Sequence, residues 1–169
     1  MRYILFFAFY FIVICTVDAQ DTMVVRKSAI IMSNAMIKND LETLADYTHP
    51  KILAAMGGKD KMIARTKASI AEMKTGGVTF RGASIGKIGR FYTSGKDLYC
   101  LIPHEILMNT EGGYLSSTSS VLGISHDKGK TWKFVSAGNI GKKRLKTIFT
   151  TLPDGLQISP QTTPVFHKE

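Results

Sequence analysis

Apolar residues recur at helical spacing as far as Gly76-Gly77 and at strand spacing beyond it, which divides the chain into a helical first half and a sheet-forming second half. In residues 24–47, Ile30, Ala35, Ile37, Leu41 and Leu44 fall close to one helical face. Asn39-Asp40 breaks this stretch into two helices, and Asp40 suits the cap of the second because a short carboxylate accepts first-turn amide protons. Pro50 fits the first turn of a third helix, where no amide donor is needed, and Gly57-Gly58 ends it. Residues 59–74 repeat the pattern with Met62, Ile63, Thr66, Ile70 and Met73 on one face, and Gly76-Gly77 stops them.

Beyond Gly77 the spacing predicts a strand over 78–84 that continues past a glycine-marked bend through 85–92. Residues 93–97 form a turn. Residues 98–108 carry apolar side chains on both faces, which predicts a central strand. Thr110-Glu111-Gly112-Gly113 is the next turn, residues 114–124 the next strand, Asp127-Lys128-Gly129-Lys130 another turn and 131–135 the last strand. Hairpin follows hairpin, so the sheet is expected to be antiparallel and the fold class α+β. Residues 141–149 predict a short basic helix, and the tail from about 150 to 169, with Pro153, Pro160 and Pro164, an extended segment.

The N-terminus predicts export. Met1-Arg2-Tyr3 precedes an apolar run over residues 4–17, shorter than the roughly 20 residues a bilayer span needs, and Val17-Asp18-Ala19 fits a signal-peptidase site. Residues 1–19 thus read as a signal peptide, and 20–169 as a single domain outside the cytoplasm, periplasmic or secreted, with no transmembrane anchor. A lipoprotein form at Cys15 is the alternative, against which stands the bulk of Ile14 just before it. Cleavage after Ala19 leaves Cys100 as the remaining cysteine, in an apolar run where a thiol behaves as a small hydrophobe. It also removes one cation, Arg2, and one anion, Asp18, so the charge of 22 − 13 = +9 becomes 21 − 12 = +9. Such a balance favours anionic lipid, acidic glycans or the acidic face of a partner, or serves solubility. Its scatter along the chain and the exported setting argue against nucleic acid.

Helical hairpin, short helix, longer helix and then hairpin-linked strands over residues 24–135 resemble the nuclear transport factor 2-like superfamily, which includes SnoaL-like and ketosteroid-isomerase-like domains. The resemblance implies a strongly bent, cone-like (cystatin-like) sheet wrapped around the helices, a pocket at its open end and frequent pairing through the sheets. It implies binders, adaptors and enzymes alike. Tyr47-Thr48-His49-Pro50-Lys51, followed by Gly57-Gly58-Lys59-Asp60-Lys61-Met62, is similar to small uncharacterised exported proteins of Bacteroidota-type bacteria.

Ser125-His126-Asp127-Lys128-Gly129-Lys130-Thr131-Trp132 fits the Asp-box pattern S-x-D-x-G-x-T-W of sialidase blades. One copy in a chain too short for a propeller makes it a hairpin device: the Asp accepts backbone bonds, the Gly takes positive φ and the Trp packs beneath. The pocket candidates are Asp46, Tyr47 and His49 at a helix end, with Tyr99, His104 and Glu105 on the central strand. His104 shares a face with Cys100, Ile102 and Ile106, and Glu105 shares the other with Tyr99, Leu101 and Leu107. A pocket enzyme would need a carboxylate base and an oxyanion donor from such a set. Spacing fixes no catalytic residue, and the four histidines show no metal-ligand spacing. No cofactor is expected. Lys142, Lys143, Arg144 and Lys146 are candidates for contact with an anionic surface, or form the solvated face of a helix anchored by Leu145, Ile148 and Phe149. The expected function is an exported binding or interaction domain for a small apolar ligand or a protein partner, with a homodimer through the apolar second face of residues 98–108. The alternative is a small isomerase-, cyclase- or hydrolase-like enzyme using the same pocket for proton transfer.

Overall fold

The computed structural model describes residues 17–169; the apolar run read as an export signal lies outside them, apart from Val17. Four helices come first: α1 (Val17–Ile37), α2 (Leu41–Tyr47), α3 (Pro50–Ala55) and α4 (Lys59–Thr75). Asp40 caps α2 by accepting from the Thr43 amide, and Pro50 opens α3. Gly57 and Gly58 separate α3 from α4 at φ of +92° and +104°, which only glycine adopts freely.

An open antiparallel sheet of six strands follows, so the protein is α+β. The strands are β1 (Thr79–Ile85), β2 (Tyr92–Ser94), β3 (Asp97–Thr110), β4 (Gly113–Ser125), β5 (Lys133–Ser136) and β6 (Val165–Lys168). β3 and β4 form a long central hairpin, from Leu98 opposite Ser125 to Thr110 opposite Gly113. β1 and β2 share the outer edge of β3, while β5 and β6 share that of β4. The tail expected to be extended thus ends in a strand. Between β5 and the tail lie two short helices, α5 (Ala137–Ile140) and α6 (Lys142–Ile148).

One expectation is corrected: residues 86–91 are not a strand. The cause is Pro103. Its carbonyl accepts from the Gly86 amide, so this residue faces the β1 side of β3, where proline has no N–H to return the bond. The ladder breaks there, and the chain runs beside β3 through Gly86 and Gly89, whose amides bond Pro103 O and Leu101 O at 2.8 Å each.

The sheet is covered on both faces. On the inner face Val25, Ala29 and Met32 of α1 pack with Cys100, Ile102, Val121, Trp132 and Phe134. On the outer face Tyr99, Leu122, Ile124 and Val135 pack beneath Leu145, Phe149, Leu152 and Leu156. Tyr99 and Leu101 on the second face of β3 are therefore covered by the chain's own C-terminal segment. No helix among the described residues is long and apolar enough to cross a membrane.

Candidate functional site

Alternation along β3 turns His104 inward with Cys100 and Ile102, each of them buried. There it lines a cavity of about 360 Å³ between the helices and the inner face. Met32 and Met36 of α1, Leu44 of α2, Ile52 of α3, Met56 at its C-cap and Met62 of α4 supply one wall. Ile106, Val121 and Phe134 supply the other, and Ser117, Ser119, Asn139 and Gln161 form a polar side where β4 has no strand partner between β5 and β6. Met62 is the one buried residue of α4, so this helix meets the core through the cavity wall. Four methionines give that wall shape tolerance, since an unbranched thioether side chain repacks at little cost.

His104 is the single titratable side chain among the lining residues. Its Nε2 lies 2.9 Å from Ser33 Oγ, and burial lowers its affinity for a proton, so it stands neutral in the cavity. Ser119, directly across the ladder from His104, has a buried hydroxyl without a hydrogen-bond partner among the described residues. Gly138 makes room for it, because a Cβ there would lie 2.3 Å from Ser119 Oγ. Ser117 is satisfied, donating to Thr162 O and receiving from Gln161 Nε2.

The remaining pocket candidates lie elsewhere. Asp46 is on the surface and pairs with Lys59 at 2.6 Å, and Tyr47 stacks on Phe134. Glu105 is on the outer face, accepting from Ser84 Oγ. His49 and Tyr99 meet a second cluster at the sheet rim, which includes two residues that spacing did not single out for the site, Asp97 and His126.

Three local features build that cluster. The α2–α3 junction runs alongside β5, with Thr48 bridged to Phe134 and the His49 amide bonded to Phe134 O at 3.0 Å. The 125–132 turn forms as its sequence implies: Asp127 accepts from Thr131 N and Oγ1 and from Ser125 Oγ, Gly129 has φ +83°, and Trp132 Nε1 donates to Gly129 O. Burial would raise the Asp127 pKa, but these bonds outweigh it and hold the carboxyl down at about 2. Because Leu98 lies opposite Ser125, the next residues outward, Asp97 and His126, face one another.

The resulting chain of bonds fixes its own protons. His49 caps α3, its Nδ1 accepting from the Lys51 amide at 3.1 Å. A nitrogen that accepts carries no proton, so the neutral ring holds it on Nε2, which faces His126 Nε2 at 3.1 Å. His126 must accept there and therefore donates from Nδ1 to Asp97 Oδ1, 2.7 Å away. Tyr99 Oη continues the chain with Thr151 at 2.7 Å. A metal ion between the two Nε2 atoms would require a proton on His49 Nδ1 and so the loss of the α3 cap. Among the described residues no group of three or more His, Cys, Asp or Glu could hold a metal ion.

Of the basic candidates, Lys146 is paired with the Asp154 carboxylate and Lys142 with its carbonyl, which fastens α6 to the following loop. Lys143 and Arg144 are exposed. Cys100 is fully buried, and burial pushes its thiol up to about 12, so it is an inert part of the core. The chain matches no family model, no curated protein and no solved structure.

Proposed function

We propose that this chain is an exported binding domain that holds a small, uncharged, mainly apolar molecule in the cavity beside His104. The observation that carries the reading is the lining itself. A space of about 360 Å³ falls within the roughly 300–1,000 Å³ usual for small-molecule sites, and its walls are chiefly Met, Ile, Leu and Val. None of the lining residues is Lys, Arg, Asp or Glu, so a ligand carboxylate or phosphate would be buried without a counter-charge. An apolar body with one hydroxyl or carbonyl suits the space, its oxygen meeting His104 or, after a turn about χ1, the unpartnered Ser119 hydroxyl. Export rests on the N-terminal apolar run, and the order of helices and sheet agrees with the nuclear transport factor 2-like resemblance. The enzyme alternative is less favoured because no carboxylate accompanies His104 in the lining.

The test is binding of a neutral environment-sensitive probe, N-phenyl-1-naphthylamine, followed by its fluorescence. Wild-type protein should bind it, and Met36→Trp, which fills the cavity with a bulkier side chain, should weaken binding at least roughly tenfold while melting cooperatively. Equal binding by a folded Met36→Trp protein, or no binding by the wild type, would sink the reading.

A further inference from the structure

The bonds joining Asp97, His126 and His49 leave no acceptor site free on the two facing ring nitrogens, and this gives the cluster a dependence on pH that follows from geometry. An added proton can go to His126 Nε2, which already accepts from His49, or to His49 Nδ1, which already accepts from Lys51. Either uptake costs a hydrogen bond. The two rings differ in access: His49 is 2% exposed, whereas the His126 side chain is 47% exposed. They differ in neighbours as well. Around His49 stand Lys51 of α3 and Lys133 of β5, both repelling a second positive charge, and the Phe149 ring edge-on at 4.8 Å. His126 has the Asp97 carboxylate of β3 against its other nitrogen, with Tyr99 Oη beyond at 3.5 Å. The Asp127 carboxylate next to it in sequence is occupied by Ser125 and Thr131.

We propose that Asp97, His126 and His49 form a proton-gated latch that ties the start of α3 to the sheet rim while both rings are neutral and lets go when His126 takes up a proton. In the latched state the His49 Nε2 proton is donated to His126. A proton arriving on His126 Nε2 places two N–H groups face to face across 3.1 Å, while the new imidazolium keeps its contact with Asp97. The bond that breaks is therefore the one to His49. α3 then remains attached through the His49 amide to Phe134 O and through Lys51 Nζ to Ile148 O. Because α3 and its C-cap contribute Ile52 and Met56 to the cavity wall, the latch couples acidity to that wall. The latch itself stands on hydrogen-bond geometry and does not depend on the cavity having a ligand.

The experiment follows hydrogen exchange of the α3 amides, corrected for the chemical rate, at about pH 8 and about pH 5, where an imidazole can change its charge. Wild-type protein should lose roughly tenfold protection in α3 at the lower pH, while β3 and β4 stay protected. His126→Gln, which can still hydrogen-bond but cannot titrate at this position, should lose clearly less α3 protection than the wild type between the two values, keeping only the part that His49 itself contributes. Asp97→Asn, lacking the counter-charge, should need a lower pH for the same opening. Long-range nitrogen-15 spectra at about pH 8 should show His49 protonated on Nε2 and His126 on Nδ1. Constant wild-type protection, an equal loss in His126→Gln, or the opposite tautomers would overturn the latch. Adding N-phenyl-1-naphthylamine separates the two proposals. Failure to bind at about pH 8 removes the cavity reading and leaves the exchange result to judge the latch.

Discussion

His49 is a helix cap, a ring packed edge-on against Phe149, and a hydrogen-bond donor to His126 at once. Its burial, followed by the positive charges nearby, lowers its pKa from 6.5 to about 4. The unfolded chain would take this proton near pH 6.5, and the folded one only near about pH 4. Between those values the unfolded state holds more protons, so stability falls as the pH is lowered through the window and the loss is complete below its lower end. His49→Asn retains a side chain able to cap α3 and removes the titration. Denaturant unfolding at about pH 7 and about pH 4 should show that the wild type loses more stability than His49→Asn, by on the order of 2 kcal/mol. Equal losses in both would assign the acid sensitivity to other groups. The sequence shows His49 as a polar residue beside a helix-opening proline, and that much is readable. Its partner, 77 residues away, is not, because the pairing depends on β5 bringing the helix junction to the 125–132 turn.

At the scale of elements, the hairpins are legible because their turns need residues with unusual backbone freedom, as at Gly95, Gly112 and Gly129, all with positive φ. The gap between β1 and β2 is not legible in the same way. Residues 85–92 carry strand-like spacing, and what stops them is a missing donor on a neighbouring strand, at Pro103. Only the register reveals which side of β3 that residue faces. The segment is held instead by close approach: a Cβ on Gly89 would lie 2.9 Å from Leu101 O, a backbone atom that cannot swing aside. Gly89→Ala should therefore cost about 1–3 kcal/mol of stability, read as a lowered urea midpoint with an unchanged slope. A midpoint equal to the wild type would mean that this segment yields without strain and is not fixed against β3. Alternation alone set His104 and Glu105 on opposite faces, but not which of them turns inward, and the bond of His104 to Ser33 was not readable either, since α1 could present any of several faces to the sheet.

At the scale of the whole molecule, the sheet is enclosed by segments of very different weight. Leu145, Phe149, Leu152 and Leu156 cover Tyr99, Leu122, Ile124 and Val135, and burying each such side chain is worth about 1.5–3 kcal/mol. Native domains have only about 5–15 kcal/mol to lose, so this cover is part of the fold, not an appendage. β6 differs: it pairs with the opening residues of β4, and its Val165 and Phe166 are 55% and 51% exposed. Its attachments include ladder bonds, the hydrogen bond between Ser116 Oγ and His167 Nε2 at 2.8 Å, the stacking of His167 on Tyr114 and the surface ion pair of Arg81 with Glu169. A surface pair of that kind is worth at most about 1 kcal/mol. Two truncations should therefore behave differently. Ending the chain after Thr162 removes β6 but keeps the bonds of Thr162 to Thr118, and should leave a cooperatively melting protein that still binds the neutral probe. Ending it after Ile140 bares the outer apolar face of β3 and β4 and should abolish cooperative melting, with apolar-dye binding and aggregation in its place. Circular dichroism melts of the two shortened chains decide the matter: a folded protein ending at Ile140 would show that the helices and inner core hold the sheet unaided.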